Sequence, residues 1–181
     1  MCKEQNVLNY YVVCNKLKNV IRTGWKDWKV KRERIESVAE HIYGVQMLAI
    51  AMKSEYQYDI DMQKVIFMLA IHELGETVIG DLTQFQISRE EKEKIEHEAV
   101  HKILSGLIDG EQIERIFLEF DAHKTAANSH VKALLESEKT WSGMWLKFGQ
   151  EKYPYDENFM AVSKYAMKNT LSRCIKSTTV I

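Results

Sequence analysis

The sequence predicts an all-α fold, a single-domain bundle of about six or seven helices over residues 1–181. Three observations carry this. Apolar residues recur at helical spacing through most of the chain. Pro154 is the only proline, and the eight glycines are scattered instead of punctuating short segments, so turn signals do not recur at the spacing that successive strands need. At 181 residues with 45% hydrophobic content, the chain is long enough to build its core without disulfides or a second domain.

Each helix has its own warrant. The first is expected near residues 4–21 from helical spacing of apolar side chains. The second, near 37–54, has a start signal in Ser37 followed three residues later by Glu40, the pattern of a capping box. Its apolar stripe runs through Val38, Val45, Leu48 and Met52 and includes His41. The third, near 61–75, is capped by Asp61 and carries the run Val65-Ile66-Phe67-Met68-Leu69-Ala70-Ile71, which ends at His72 and Glu73. The fourth, near 88–107, opens with the charge run Arg89 to Lys94, read as a solvated helix start, and buries Ile95, Ala99, Ile103 and Leu107. Asp109-Gly110 breaks the chain before the fifth, near 110–122. Two further helices are expected near 127–149 and 156–177, and the aromatic residues Trp141, Trp145, Phe148, Tyr153 and Tyr155 there would cover the core or form a homodimer contact.

Charge and cysteine content exclude several classes. Twenty-five Lys and Arg nearly balance 26 Asp and Glu, so no basic field favours nonspecific nucleic-acid binding. Cys2, Cys14 and Cys174 are odd in number and lack paired metal spacing, which fits a reducing compartment. Lys3, Glu4 and Gln5 precede any apolar stretch, and no run approaches the roughly 18 residues of a membrane span. A cytoplasmic, soluble protein is expected.

Chemistry concentrates around His72. A helix that is apolar nearly all round belongs in a core, where an imidazole beside a carboxylate is costly unless something binds both. A metal ion would do so, and His41 points inward from another helix. Glu76 follows His72 by one helical turn, with Gly75 either allowing close approach or ending the helix, and Asp81 lies in the turn beyond. Any one of these residues is compatible with an ordinary hydrogen-bonded core histidine or a surface carboxylate. Five together call for a shared ligand.

Ser37-Val38-Ala39-Glu40-His41, His72-Glu73-Leu74-Gly75-Glu76 and Gly80-Asp81-Leu82-Thr83, with Arg22-Thr23-Gly24-Trp25 upstream, resemble the HD-domain metal-dependent phosphohydrolases, in particular the 5'-deoxynucleotidase branch. The resemblance covers about residues 14–140. It implies that His41, His72 and Glu73 bind one divalent transition metal such as Mn, Co or Zn. It further implies that Glu76 acts on the attacking water, that Asp81 contacts the sugar, and that Arg22 and Trp25 hold a nucleotide 5'-monophosphate. Phosphate monoester hydrolysis needs charge neutralisation, an activated water and in-line positioning, which such a set would supply. Glu73 replaces the family's aspartate and remains a competent oxygen ligand. Leu135 stands at the family's last aspartate ligand, so Glu138 is expected to fill that role, with Glu136 or water behind it. The alternative is a catalytically silent nucleotide-binding protein.

A separate match is His97-Glu98-Ala99-Val100-His101, the H-E-x-x-H pattern of zinc peptidases. Both histidines fall opposite the apolar stripe of their helix, and Leu104 stands where the longer motif wants glycine. The match is read as chance. His123 and His130 lack partners at ligand spacing and are read as ordinary polar positions.

Overall fold

A computed structural model describes residues 2–27, 34–83, 85–122, 125–141 and a few positions between 157 and 165. The elements are α1 (Lys3–Asn15), a 3₁₀ turn (Lys16–Lys18), α2 (Gly24–Asp27), α3 (Val38–Tyr56), α4 (Met62–Ile71), α5 (Glu76–Ile79), α6 (Arg89–Leu104), α7 (Gly110–Ala122) and α8 (Ala126–Trp141). Among the described residues the only β pairing is an isolated antiparallel bridge between Ile21 and Ser37. The all-α expectation holds. The helix expected near 127–149 is α8 as far as Trp141, and Trp145, Phe148, Tyr153 and Tyr155 lie outside the described residues.

α3 begins where the sequence predicts. Ser37 is extended at φ −81°, its hydroxyl accepts from Glu40 N, and the Glu40 carboxylate accepts from Ser37 N at 2.8 Å. Arg34, above all, and the Ser37 backbone hold the Glu40 carboxyl down to about 2. The part of α3 stability that depends on an ionised Glu40 is therefore complete above its ordinary value and is lost as pH falls toward 2. Ser37→Ala is expected to cost about 1 kcal/mol. The check is a thermal melt near neutral pH, where the midpoint should fall by roughly 2–4 °C.

Two apolar clusters flank the end of α4. The first packs Val45, Ala49 and Met52 of α3 against Val65, Met68 and Leu69 of α4 and Ala127, Val131 and Leu134 of α8. The second joins Ile71 and Leu74 to Val100 and Leu104 of α6 and Phe117 of α7. Ile71 and Leu74 anchor the turn at residues 72–76 to the second cluster, directly after the α4 residues that belong to the first.

The third helix is shorter than expected. Instead of continuing to residue 75, α4 stops at Ile71, and the following bonds are Leu74 N to Ile71 O, Glu76 N to Glu73 O and Thr77 N to Leu74 O at 2.9–3.2 Å. These i to i+3 bonds tighten the turn, which brings residues three apart over one another. The first helix likewise ends early, at Asn15, and gives way to the 3₁₀ turn.

Candidate metal centre

The backbone of 72–76 and the caps of α3 bring His41, His72 and Glu73 together, with one ligand atom from each lying within 4.8 Å of the others. Glu73 Oε1 is 3.3 Å from His72 Nε2 and 3.9 Å from His41 Nε2. The two imidazoles meet edge to face, with ring centroids 5.5 Å apart. Both histidines are buried, at 3% and 6% exposure.

The protonation of His72 can be read from its surroundings. Its Nδ1 lies 2.9 Å from the carbonyl oxygen of Leu69, and a carbonyl can only accept, so Nδ1 carries the proton. Whenever the ring is neutral, as metal binding requires, Nε2 is then a lone pair. It is buried with no hydrogen-bond donor and faces a carboxylate oxygen 3.3 Å away. Two lone pairs so placed repel unless a cation lies between them. Donors on one tetrahedral ion with bonds near 2.0 Å stand about 3.3 Å apart, so the set fits a divalent metal. The Nδ1 bond to a backbone carbonyl is also the outer contact that orients metal-binding histidines.

Arg22 stands on the other side of Glu73. Residues 20–22 run antiparallel to 36–38, with Arg22 N donating to Glu36 O at 3.1 Å and Val38 N to Val20 O at 2.8 Å. This pairing places the Arg22 guanidinium 3.6 Å from Glu73 Oε1 and 3.9 Å from Glu36 Oε1. Burial alone would raise the Glu73 carboxyl, but the charge and hydrogen bond that His72 offers when protonated, then the charges of Arg22 and His41, hold it well below the usual carboxylate range. Glu73 is thus a permanent anion facing the histidines.

Glu76 behaves oppositely. It is 2% exposed; burial first, then the charges of Glu73 and Asp81, push it up to about 10, while Lys92 pulls it back. Asp81 ties the two loops of the site together: its Oδ2 accepts from Thr23 N at 2.6 Å, and its carbonyl accepts from the Thr23 hydroxyl.

Three residues differ from their sequence reading. Trp25 is 1% exposed, with its indole N–H donating to Glu36 Oε1 at 3.1 Å, so the side chain expected to help hold the nucleotide is enclosed. Lys92, assigned to a solvated charge run, is turned inward onto Glu76. His130, read as an ordinary polar position, is buried and stacks edge-on to Tyr58 at 4.6 Å. Glu36 and Glu96 were missed as participants, although Glu96 follows Lys92 by four residues and that spacing was a usable signal. Leu135 packs against the first apolar cluster. His123 and the side chains of Glu136 and Glu138 lie outside the described residues. The H-E-x-x-H histidines do not converge: His97 Nε2 binds Asp121 at 2.7 Å and His101 Nδ1 binds Glu114 at 3.0 Å, on separate turns of α7.

With this geometry established, comparison with known proteins is decisive. The model of the HD domain matches residues 14–176. The chain belongs to the HD-domain family. This HD protein is 36% identical over 129 residues to a 5'-deoxynucleotidase of Dictyostelium discoideum, covering 66% of each chain. It is 28% identical over 137 residues to a 5'-deoxynucleotidase of Schizosaccharomyces pombe, covering 72% of this chain and 67% of that one. The HD chain therefore spans about two thirds of the length of these relatives. A crystal structure described as a predicted metal-dependent phosphohydrolase, from Magnetospirillum magnetotacticum, superposes with a TM-score of 0.71 at 19% identity, covering 94% of both chains. A conserved hypothetical protein from Pyrococcus furiosus gives 0.63 at 22%, covering 92% of this chain and 99% of that one. These two likenesses show that the HD fold is shared. Among the described residues, no helix is long and apolar enough to cross a membrane.

Proposed function

We propose that this chain is a divalent-metal-dependent phosphohydrolase that releases phosphate from deoxynucleoside 5'-monophosphates. The observation that carries the reading is the buried Nε2 of His72, without a hydrogen-bond partner, 3.3 Å from Glu73 Oε1 with His41 beside it. The 5'-deoxynucleotidase relatives supply the substrate class.

His41, His72 and Glu73 would hold the metal, and Glu138 is our choice for a fourth ligand, with Glu136 or water as the alternatives. A bound divalent ion lowers the pKa of water and shares the charge on phosphoryl oxygens. Arg22, with its planar donor fork beside Glu73, binds the nonbridging oxygens of the phosphate. Asp81 accepts from the sugar hydroxyl while holding Thr23. With a divalent ion held beside it, Glu76 would give up the proton it keeps in the metal-free chain and so be free to take one from the attacking water as the new O–P bond forms. The P–O5' bond breaks with its electron pair on O5', which is protonated by the proton that Glu76 holds. The buried position of Glu76 keeps that proton from exchanging with bulk solvent. Three cysteines without paired spacing in the sequence support a cytoplasmic location.

The test is phosphate release from the common deoxynucleoside 5'-monophosphates with Mn²⁺, Co²⁺ or Zn²⁺, alongside metal content. His72→Ala is expected to lose both metal uptake and turnover, the latter by on the order of 10³-fold or more. No release from any 5'-mononucleotide, together with unchanged metal uptake in His72→Ala, would overturn the reading. One observation favours a second reading, a silent nucleotide-binding protein: the leucine at position 135. That reading predicts thermal stabilisation by nucleotide without turnover, and sustained turnover lost in Glu76→Ala would exclude it.

A further inference from the structure

Lys92 and Glu96 lie one turn apart on α6 and face the tight turn that carries Glu73 and Glu76. Lys92 Nζ is 3.4 Å from Glu76 Oε1 and 3.5 Å from Glu96 Oε1, with the lysine side chain 25% exposed and that of Glu96 16%. The neighbouring i,i+4 pair on the same helix, Arg89 with Glu93, is an ordinary solvated pair at 72% and 38%. A cation withdrawn from water is retained where anions compensate it on both sides. Here the oxygens that face it belong to one carboxyl group on its own helix and one in the candidate site.

Packing adds to the charge argument. Gly75 lies directly on the Glu96 side chain: a Cβ built at Gly75 would stand 3.0 Å from Glu96 Cβ and Cγ and 3.2 Å from its Cα. The stem of Glu96 therefore fills the space beside the turn, and its carboxylate seats Lys92. The consequence falls on Glu76. Lys92 occupies Oε1, whereas Oε2 is buried with no hydrogen-bond partner.

We propose that Lys92, seated by Glu96, is a positioning residue that fixes the Glu76 carboxylate through Oε1 and so presents Oε2 to the reacting water. The inference rests on the phosphohydrolase reading above for its chemistry, but the contact itself is independent of turnover. Lys92 does not touch the substrate in this scheme. It acts through the orientation of Glu76, where a misplacement of about 1 Å can cost on the order of 10²-fold in rate.

The experiment uses the full chain with Lys92→Met and Lys92→Arg. Lys92→Met is expected to lower kcat for a deoxynucleoside 5'-monophosphate with Mn²⁺ by about 10–100-fold, with KM and Mn²⁺ uptake little changed. Lys92→Arg, which keeps a cation within reach of both carboxylates, is expected to recover most of the loss. A second readout needs no turnover: in metal-free ¹⁵N-labelled protein, Lys92 should give a slowly exchanging ammonium signal that Glu76→Gln shifts. Unchanged kcat in Lys92→Met overturns the proposal, as does a kcat loss that merely follows lost Mn²⁺. A Lys92 ammonium that exchanges as fast as solvent-exposed lysines overturns it too. If the unaltered protein releases no phosphate, the nucleotidase reading fails while the ammonium signal still decides whether Lys92 holds Glu76.

Discussion

Glu76→Gln is expected to lower kcat for phosphate release by about 10²–10⁴-fold, the usual contribution of a positioned proton-transfer group, while leaving metal uptake close to normal. The contrast with His72→Ala is the informative part: one variant keeps the ion and loses turnover, the other loses both. In the metal-free protein the same glutamine should be stabilising. Burial, followed by Glu73 and Asp81, holds the Glu76 carboxyl up to about 10, so the folded chain keeps a proton that the unfolded chain releases near its ordinary value of 4.5. Stability of the metal-free protein therefore falls as pH rises from the ordinary carboxylate range toward 10. Glutamine removes that dependence and should raise metal-free stability by on the order of 3 kcal/mol at pH 7. Melts of both proteins across pH 5–9 after chelation check this. Parallel curves with no gain for the variant would mean that Glu76 is ionised in the metal-free fold. A site that costs stability until its cation arrives is what strained functional clusters generally show.

Much of this centre was legible in the sequence because its signals are local. Ser37 and Glu40 define the start of α3 through a capping pair that needs no tertiary information, and the stripe from Val38 to Met52 then determines that His41 points inward. The run ending at Ile71 similarly buries His72. What was not legible depended on the turn after α4. Helical spacing relates Glu76 to His72, but the chain takes i to i+3 bonds after Ile71, so the backbone sets Glu76 one tight turn after Glu73 instead. No propensity marks that change, since the packing of Leu74 and Gly75 against α6 imposes it. Lys92 was hidden for a related reason: within Arg89 to Lys94 every residue reads as solvent-facing, and it is the Glu76 carboxyl from another segment, together with Glu96 on the same helix, that turns one of them inward. The enclosure of Trp25 has the same origin, because Glu36 reaches its indole only after residues 20–22 pair with 36–38.

That enclosure makes Trp25 the position where the structural and binding readings diverge most sharply. Trp25→Ala is expected to cost about 3–5 kcal/mol, the range for emptying a buried aromatic site, and urea unfolding should show it directly. Trp25→Phe separates volume from hydrogen bonding. Phenylalanine keeps most of the apolar contact but cannot donate to Glu36, and losing a bond to a charged acceptor costs about 1.5–3 kcal/mol. Glu36 also faces the Arg22 guanidinium at 3.9 Å, and Arg22 reaches Glu73 at 3.6 Å. Releasing Glu36 should therefore loosen Arg22, the proposed phosphate-binding residue, and raise KM to a similar degree for purine and pyrimidine deoxynucleotides alike. A tryptophan that stacked on the base would behave differently: the phenyl ring would still stack, and KM would change unequally between large and small bases. KM measured for one purine and one pyrimidine substrate decides between the two roles. A uniform rise accompanied by lost stability identifies Trp25 as the support beneath Arg22. A base-dependent change with stability intact would show that the side chain opens to the substrate.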